Sequence, residues 1–193
     1  MKAIILLATL KTKGRSNTET LTEFLCGYLK QYKIDYEVIK LIDYKIIPGT
    51  YIHMEEKDDF PEIYQKILEA NILLFATPLW WNSHSSELQR IIERLDEVYD
   101  IILKEKVSPL EGKIGGVIIT GDSDGVEHLS ANIYNFFNSM GIAIPPYTSL
   151  GVLWEGHGKN IKKTKTQLLK YYKKEYAKDA ESMAEQLAAF GNP

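Results

Sequence analysis

Short apolar runs alternate with amphipathic segments along this chain. Each run is only a few residues long and is followed by turn-forming residues, which is typical of strands rather than helices. Runs that are apolar throughout predict strands buried on both faces of a sheet. Residues 3–8 fit this description. The other predicted strands are 36–42, which alternates partly, 71–76, 113–120 and 141–153, the last interrupted by two prolines.

Between these runs, apolar residues recur at intervals of three and four, which predicts helices with one buried face. Ser16, Asn17 or Thr18 is expected to cap the first helix, because their side-chain oxygens accept from free backbone N–H groups. The predicted helices are one from Ser16, one from Asp58 to Glu69, one from Ser85 through Ile102, one from Gly125 to Ser139, and a lysine-rich one at about 160–189.

The alternation of strand and helix predicts an α/β fold, a five-stranded parallel sheet with helices on both faces. Five such units in 193 residues fit a single flavodoxin-like domain with strand order 2-1-3-4-5. Ligands of such sheets bind beyond the carboxyl ends of the strands, where the strand order reverses. We therefore examine loop one (Thr9–Thr18), loop two (Thr77–Ser85) and loop three (Thr120–Gly125).

Composition excludes several classes of function. A net charge of −3 and a pI of about 5.9 give no indication of nucleic-acid or membrane-surface binding. The single cysteine, Cys26, rules out an intramolecular disulfide and a thiolate cluster built from this chain alone, which favours a cytoplasmic setting. No apolar stretch approaches the roughly 20 residues that a membrane helix requires.

Loop one joins a buried strand to a helix N-terminus, where free N–H groups and the positive end of the helix favour an anion. Its hydroxyl and amide side chains, with Lys11 and Arg15, suit a phosphomonoester. Its sequence matches neither the ATP-type phosphate loop nor the GxGxxG dinucleotide loop. The alternative is a solvated basic turn that only caps the helix.

Loop two places Trp80 and Trp81 after Pro78 and Leu79 at the end of a strand. Aromatic faces stack on flat conjugated rings, so these residues and the backbone near Asn82 are candidates for a ring-binding wall. The alternative is that one or both tryptophans pack in the core or in a subunit interface.

Loop three reads TGDSDG, and its glycines Gly121 and Gly125 allow close approach of the backbone to a ligand. Asp122 and Asp124 lack the spaced ligand set of an EF-hand, so calcium is not favoured. Ser123 and backbone donors facing a polar ring edge are the preferred interpretation.

These three loops together resemble the NAD(P)H-dependent FMN reductase family of flavodoxin-like proteins. Its first motif, GSxR…SNT, corresponds to ATLKTKGRSNT, its second, TPxYWG, to TPLWWNSHSSELQ, and its glycine-rich third to TGDSDG. The likeness covers roughly residues 2–153, and the second motif is the most specific. Lys11 stands where the family has arginine, and Asn82 stands where it has glycine.

The resemblance implies noncovalent FMN, with NADPH or NADH as reductant and a quinone, flavin or similar small molecule as acceptor. It also implies a homodimer or homotetramer. The phosphate is expected on Ser16, Asn17 and Thr18 with Thr9, Lys11 and Arg15 nearby. The ring is expected against Pro78, Leu79, Trp80, Trp81 and Asn82, closed by Gly121, Asp122, Ser123 and Gly125.

Two other functions remain open. An electron carrier of the same fold would need no substrate of its own, and a relative without cofactor would keep only the architecture. No catalytic acid or base is assigned, because hydride transfer is the chemistry of the cofactors themselves. His53, in a long excursion before the second helix, and His84 are candidate proton donors only.

Overall fold

The five apolar runs form one parallel sheet in a computed structural model that describes residues 1–121, 125–153 and 163–191. The strand order β2-β1-β3-β4-β5 confirms the predicted fold class and order. Every neighbouring pair is parallel, so all the carboxyl ends share one edge. The strands are β1 (Lys2–Leu7), β2 (Asp35–Lys40), β3 (Ile72–Pro78), β4 (Ile114–Gly121) and β5 (Ser149–Leu153).

Helices cover both faces of this sheet, because its central strands are apolar on both sides. On β1, Ile4 and Leu6 face one core, and Ile5 and Leu7 face the other. The helices are α1 (Asn17–Gln31), α2 (Phe60–Glu69), α3 (Ser86–Arg94), α4 (Asp96–Glu105), α5 (Val126–Ser139), α6 (Lys165–Glu175) and α7 (Ala177–Phe190), with a 3₁₀ turn at Leu41–Asp43.

The two cores divide the helices. Buried residues of α1, α6 and α7, such as Leu25, Tyr172 and Leu187, pack on one face of the sheet. Buried residues of α2 to α5, such as Ile63 and Phe137, pack on the other. Loops one, two and three then lie at the shared carboxyl edge, between the two layers.

Two segments that were predicted as single helices each form two consecutive helices in the structure. The helix predicted from Ser85 through Ile102 breaks at Leu95 (φ −83°, ψ 0°), a fully buried residue whose packing overrides the continuous apolar period. The lysine-rich helix predicted at about 160–189 begins at Lys165 among the described residues and breaks at Tyr176 (φ −123°, ψ 11°). The Tyr176 ring packs against Tyr171 and Tyr172, so aromatic packing overrides local helical preference there.

Three boundaries also differ from the predictions. The strand predicted over 141–153 pairs continuously only from Ser149, because prolines at 145 and 146 lack the N–H that a ladder needs. The helix predicted from Asp58 begins at Phe60, since Pro61 suits a first turn and the Asp58 carboxylate accepts from the Phe60 N–H just before the helix. The strand predicted over 36–42 ends at Lys40, where the 3₁₀ turn begins.

Candidate functional site

Loops one, two and three meet at one edge of the sheet. Parallel pairing sets Leu7 of β1 opposite Ala76 of β3, and Pro78 of β3 opposite Thr120 of β4. The Ala8 N–H continues the first of these ladders, donating to the Ala76 carbonyl at 2.7 Å. The loops that follow these strands are therefore neighbours at the position where the strand order reverses, as the alternation of elements predicts.

A buried hydroxyl pair shapes loop one. The Thr9 Oγ1 and Ser16 Oγ atoms lie 2.9 Å apart, and both residues are buried. Ser16 is the cap of α1, because its hydroxyl accepts from the Glu19 N–H at 3.2 Å. The Lys11 N–H donates to Thr9 Oγ1 at 3.3 Å. Thr9 and Ser16 thus hold the loop in place and are already hydrogen-bonded within the chain.

The start of α1 supplies free donors. The Asn17 and Thr18 N–H groups make no hydrogen bond to any described residue. The N–H groups in the first turn of a helix have no partner within the helix, so they are available to a ligand. The buried Thr18 hydroxyl lies 2.7 Å from that of Thr120, which joins the start of α1 to the end of β4. Free N–H groups at the positive end of a helix are suited to an anion.

The basic side chains of loop one differ in their surroundings. The Lys11 Nζ donates to the Arg15 carbonyl at 2.8 Å, and Lys13 is exposed. The Arg15 Nε is buried, and it finds no hydrogen-bond partner in the described part of the chain. Arg15 lines a cleft of about 470 Å³ between the starts of α1 and α6. Burial raises the pKa of the neighbouring Tyr172 to about 12, although the Arg15 charge opposes that shift.

Loop two carries a two-residue β-hairpin, which we name the tryptophan hairpin (Trp80–Ser83). The N–H and carbonyl groups of Trp80 and Ser83 exchange two hydrogen bonds of 2.8 Å each. The central residues Trp81 and Asn82 have φ of 49° and 60°, the signs that a type I′ turn requires. Trp80 is 46% exposed and Trp81 is 96% exposed, so neither tryptophan belongs to the core.

Leu79 points the opposite way from the two tryptophans. Its side chain is 6% exposed and belongs to the core on the α2–α5 side. Its N–H donates to the Thr120 carbonyl at 2.7 Å. The Leu79 side chain therefore does not form part of an exposed aromatic wall, although the sequence pattern groups it with Trp80 and Trp81. A Cβ at Gly121 would lie 3.0 Å from that of Leu79, so this packing requires the glycine.

The tryptophan hairpin touches the end of loop three. A Cβ built on Gly125 would lie 2.4 Å from the Asn82 Oδ1, and the φ of Gly125 is 124°. Both facts restrict this position to glycine. Asn82 tolerates positive φ better than most residues do, which suits it to the place where glycine is the family residue. Asp122 and Ser123, predicted to close the ring site, lie outside the described residues.

Ser85 is a site residue that the motif comparison does not single out. Its hydroxyl donates to the Ala8 carbonyl at 2.7 Å and its N–H donates to Thr77 Oγ1 at 3.0 Å. It also caps α3, accepting from the Leu88 N–H. Ser85 therefore fixes the end of loop two to the end of β1. A serine just before an amphipathic helix predicts only the cap.

Two histidines were candidate proton donors. Burial lowers the pKa of half-buried His84, although a hydrogen bond between its Nδ1 and the Ser85 carbonyl opposes the shift. A lowered pKa leaves this imidazole neutral at pH 7. His53 is exposed on the segment 44–59, which we name the excursion loop.

A buried ion pair holds the excursion loop. Arg94 Nη1 and Nη2 donate to the Asp58 carboxylate at 3.0 and 2.5 Å, and both side chains are fully buried. Burial alone would raise the pKa of Asp58, but the hydrogen bonds from Arg94 and from the Phe60, Ile47 and Met54 N–H groups outweigh it and lower that pKa. The expectation that this segment is a long irregular excursion is confirmed.

The described ranges offer neither a metal-ligand cluster nor a membrane-spanning helix. No group of three or more His, Cys, Asp or Glu side chains there is placed to hold a metal ion. Across the same ranges, every helix is too short or too polar to cross a membrane.

Comparison with known proteins decides the family. Residues 1–152 match the family model described as NADPH-dependent FMN reductase. The chain belongs to this family. The match covers the three loops and all but the last residue of β5, so the resemblance in the motifs is confirmed. As a family member, the chain has its free helix N-terminus and its exposed tryptophans at the edge where the fold binds ligands.

Three curated relatives set the scale of similarity for this reductase-family chain. It is 30% identical over 160 residues to part of the divalent metal cation transporter MntH of Mycobacterium bovis, covering 80% of this chain and 23% of that one. It is 29% identical over 156 residues to the 8-demethyl-8-aminoriboflavin-5′-phosphate synthase of Streptomyces davaonensis, covering 76% and 61%. The chain thus spans less than two thirds of either protein. It is 25% identical over 150 residues to an FMN-dependent NADPH-azoreductase of Staphylococcus aureus, covering 75% and 74%.

The fold is also shared with solved structures. The structure of RosB with bound 8-demethyl-8-formylriboflavin-5′-phosphate superposes with a TM-score of 0.78, covering 99% of this chain and 79% of that one. Sequence identity over that superposition is 22%, so the likeness establishes the architecture.

Proposed function

We propose that this chain is an FMN-dependent oxidoreductase that passes electrons from NADPH or NADH to a quinone, flavin or similar small conjugated acceptor. The observation that carries the proposal is the joining of two features at one sheet edge. Thr18, at the free start of α1, contacts Thr120, and the Thr120 carbonyl binds the backbone that leads into the tryptophan hairpin. A ligand with a phosphate at one end and a flat ring at the other suits this arrangement.

The phosphate of FMN would lie at the start of α1. The Asn17 and Thr18 N–H groups would donate to it, and Lys11 would add positive charge. Thr9 and Ser16 would position these donors through their own hydroxyl pair. The buried Arg15 Nε, which has no partner among the described residues, supports an anion on this side of the molecule, because a buried donor without a partner is costly.

The ring would lie against loop two. Pro78 and the Trp80 ring would form one wall, and Asn82 with Gly125 would border the edge. Gly121 would keep the backbone of loop three close by packing against Leu79. The Leu79 side chain stays in the core, so this residue would offer the ring only its backbone carbonyl. Asp122 and Ser123 keep their predicted place at the ring edge as part of this proposal.

When bound, FMN supplies a ring that accepts two electrons as hydride and gives them up to a second molecule. The overall reaction is NAD(P)H + H⁺ + quinone → NAD(P)⁺ + hydroquinone. The residues of this chain bind the phosphate, orient the ring and leave one face open to stacking. The lowered pKa of His84 does not favour it as a proton donor at pH 7, so we assign proton supply to solvent. The names of the FMN-dependent azoreductase and the riboflavin-phosphate synthase support a flavin nucleotide here.

Visible spectra of the purified protein test this proposal. After loading with FMN and desalting, we expect a retained flavin band that NADPH or NADH bleaches without oxygen. Riboflavin, which lacks the phosphate, is the matched control ligand and is expected to bind at least about tenfold more weakly, since it forfeits charge-assisted hydrogen bonds.

The result also separates the alternatives. A retained band that neither nicotinamide bleaches would favour an electron carrier. A protein that stays colourless would favour a relative without cofactor and would refute the proposal. Equal affinity for riboflavin and FMN would remove the start of α1 as the phosphate site.

The remaining expectations stay predictions. They are a single domain over residues 1–193, a homodimer or homotetramer, and a cytoplasmic location. Light scattering during size-exclusion chromatography of the FMN-loaded protein would measure the oligomeric state.

A further inference from the structure

The tip of the tryptophan hairpin combines an unfavourable conformation with nearly complete exposure. Trp81 has a φ of 49°, in the left-handed region that side chains with a Cβ rarely adopt. Asparagine and glycine are the residues that normally occupy this position of a type I′ turn. The Trp81 ring is 96% exposed, so packing within the chain does not offset the conformational cost. An exposed, strained aromatic residue at a ligand edge indicates a contact made with another molecule.

The support beneath this ring is rigid. Two hydrogen bonds of 2.8 Å close the hairpin between Trp80 and Ser83. The preceding residue, Leu79, is anchored in the core, and the following residue, Asn82, packs against Gly125. The Trp81 backbone is thus held in place on both sides, so the point from which its ring projects into solvent is fixed.

The two tryptophans differ in what they can contact. Trp80 is about half covered by the chain and lies next to the strand end, so it suits the cofactor ring that the proposed function places there. Trp81 is one residue further out, at the turn. Residues 77–86 contain no Asp, Glu, Lys or Arg, so the tryptophan hairpin itself carries no formal charge. The hairpin therefore favours an uncharged planar ligand over a charged one.

We propose that Trp81 is the specificity-determining residue for the electron acceptor, and that it stacks on an uncharged fused-ring molecule such as a naphthoquinone. The inference rests on the proposed function, because the acceptor must reach the exposed face of the cofactor. It goes beyond that function by naming the acceptor class and by assigning the two tryptophans to different ligands.

The test compares Trp81→Asn and Trp81→Phe with the wild-type FMN-loaded protein. Asparagine suits positive φ, so Trp81→Asn keeps the turn and is expected to unfold at the wild-type temperature or above it. Its KM for 2-methyl-1,4-naphthoquinone is expected to rise about tenfold, the worth of one aromatic stack. The dissociation constant of the naphthoquinone, from fluorescence titration of the oxidised protein, is expected to rise equally. Trp81→Phe keeps a ring and is expected to retain most of the affinity.

Two variants serve as comparisons. Leu103→Asn removes a 53% exposed apolar side chain from α4, outside the three loops, and is expected to leave the naphthoquinone constants unchanged. Trp80→Ala is expected to weaken FMN binding, whereas Trp81→Asn is expected to leave it unchanged. FMN retention by the wild type therefore reports on the proposed function, and the naphthoquinone constants report on Trp81.

Three results would overturn the inference. In the first, Trp81→Asn leaves both naphthoquinone constants unchanged. In the second, it weakens FMN as much as Trp80→Ala does, which makes Trp81 a cofactor contact. In the third, it changes the oligomeric state at unchanged naphthoquinone affinity, which makes Trp81 a contact with a second copy of the chain.

Discussion

Replacing Arg94 by methionine is expected to destabilise the protein by about 3 to 5 kcal/mol, the cost of breaking a buried ion pair from one side. Arg94 is fully buried and is the largest side chain to be so. Its guanidinium has five N–H donors, and all five are used. They go to the carbonyls of Tyr51, Ile47 and Ile52 and, twice, to the Asp58 carboxylate, at 2.5 to 3.0 Å.

The remaining contacts of Asp58 set where in that range the value falls. Without Arg94 the carboxylate stays buried but still accepts from the Ile47, Met54 and Phe60 N–H groups. These three donors partly stabilise the charge, which favours the lower half of the range. Methionine fills much of the volume of the arginine stem, so the loss is chiefly electrostatic.

Urea unfolding measured by far-UV circular dichroism gives the free energy directly. Arg90→Met is the matched control on the same helix. Arg90 makes one hydrogen bond of 3.3 Å to the Ile46 carbonyl, lies 3.7 Å from Glu87, and has a side chain 31% exposed. Its replacement is expected to cost less than about 1 kcal/mol. Hydrogen exchange should show faster exchange across 44–59 in Arg94→Met only.

The pH dependence of the free energy of unfolding provides a second test of the Arg94–Asp58 pair. Because the pKa of Asp58 is lowered in the folded state, its contribution is present above the ordinary value of 3.8 and is lost as the pH falls below it. Arg94→Met removes the largest of the hydrogen-bond contributions that lower this pKa, so the pKa of Asp58 is higher in the variant than in the wild type. The difference in the free energy of unfolding between wild type and variant should therefore narrow as the pH falls towards and below 3.8. The assigned role of the Arg94–Asp58 pair is wrong if Arg94→Met loses no more stability than Arg90→Met. It is also wrong if the difference in the free energy of unfolding between wild type and Arg94→Met is the same at acid pH as at neutral pH.

Three further predictions concern other parts of the chain. Burial raises the pKa of the Cys26 thiol to about 12, so iodoacetamide at pH 8 should modify it only in step with urea unfolding. Tyr147 is 74% exposed with a φ of 59°, so Tyr147→Asn should stabilise the protein by about 1 kcal/mol, seen as a higher melting temperature. Gly125→Ala should release FMN, measured by the recovery of free flavin fluorescence, because its Cβ would meet Asn82. Gly112→Ala shares the positive φ (82°) without any clash, and it should lower stability but not FMN affinity.

The alternation of apolar runs and amphipathic segments was sufficient to predict the parallel sheet, and the flavodoxin-like arrangement that five such units fit supplied the strand order. The strands at 3–8, 71–76 and 113–120 are buried on both faces, as central parallel strands are. Periodicity failed where a helix turns without a proline or glycine. Leu95 and Tyr176 both fit a continuous helical pattern, and only their packing against other elements shows the breaks.

The site was predictable where a local motif carries it and not where distant segments meet. Residue types in the loops predicted a cap at Ser16, Asn17 or Thr18 and a candidate aromatic wall at Trp80 and Trp81, and the structure selects Ser16 and exposes both tryptophans. The contact between Asn82 and Gly125 joins residues 43 positions apart in the sequence, so neither loop predicts it alone. The burial of Leu79 was not predicted, because the loop-two motif groups this residue with Trp80 and Trp81, which are exposed.

Helix α3 connects the loop-two site to the excursion loop. Its first turn is tied through Ser85 to the end of β1, beside the tryptophan hairpin. Its last residue, Arg94, holds the excursion loop by five hydrogen bonds. Both ends of this 9-residue helix are anchored by hydrogen bonds, so we expect the loss of the Arg94 anchor to shift the Ser85 end as well. The excursion loop follows β2 at the same sheet edge, and Arg94→Met should therefore alter acceptor KM as well as stability. Arg90→Met, which keeps both anchors of α3, should alter neither by more than about twofold.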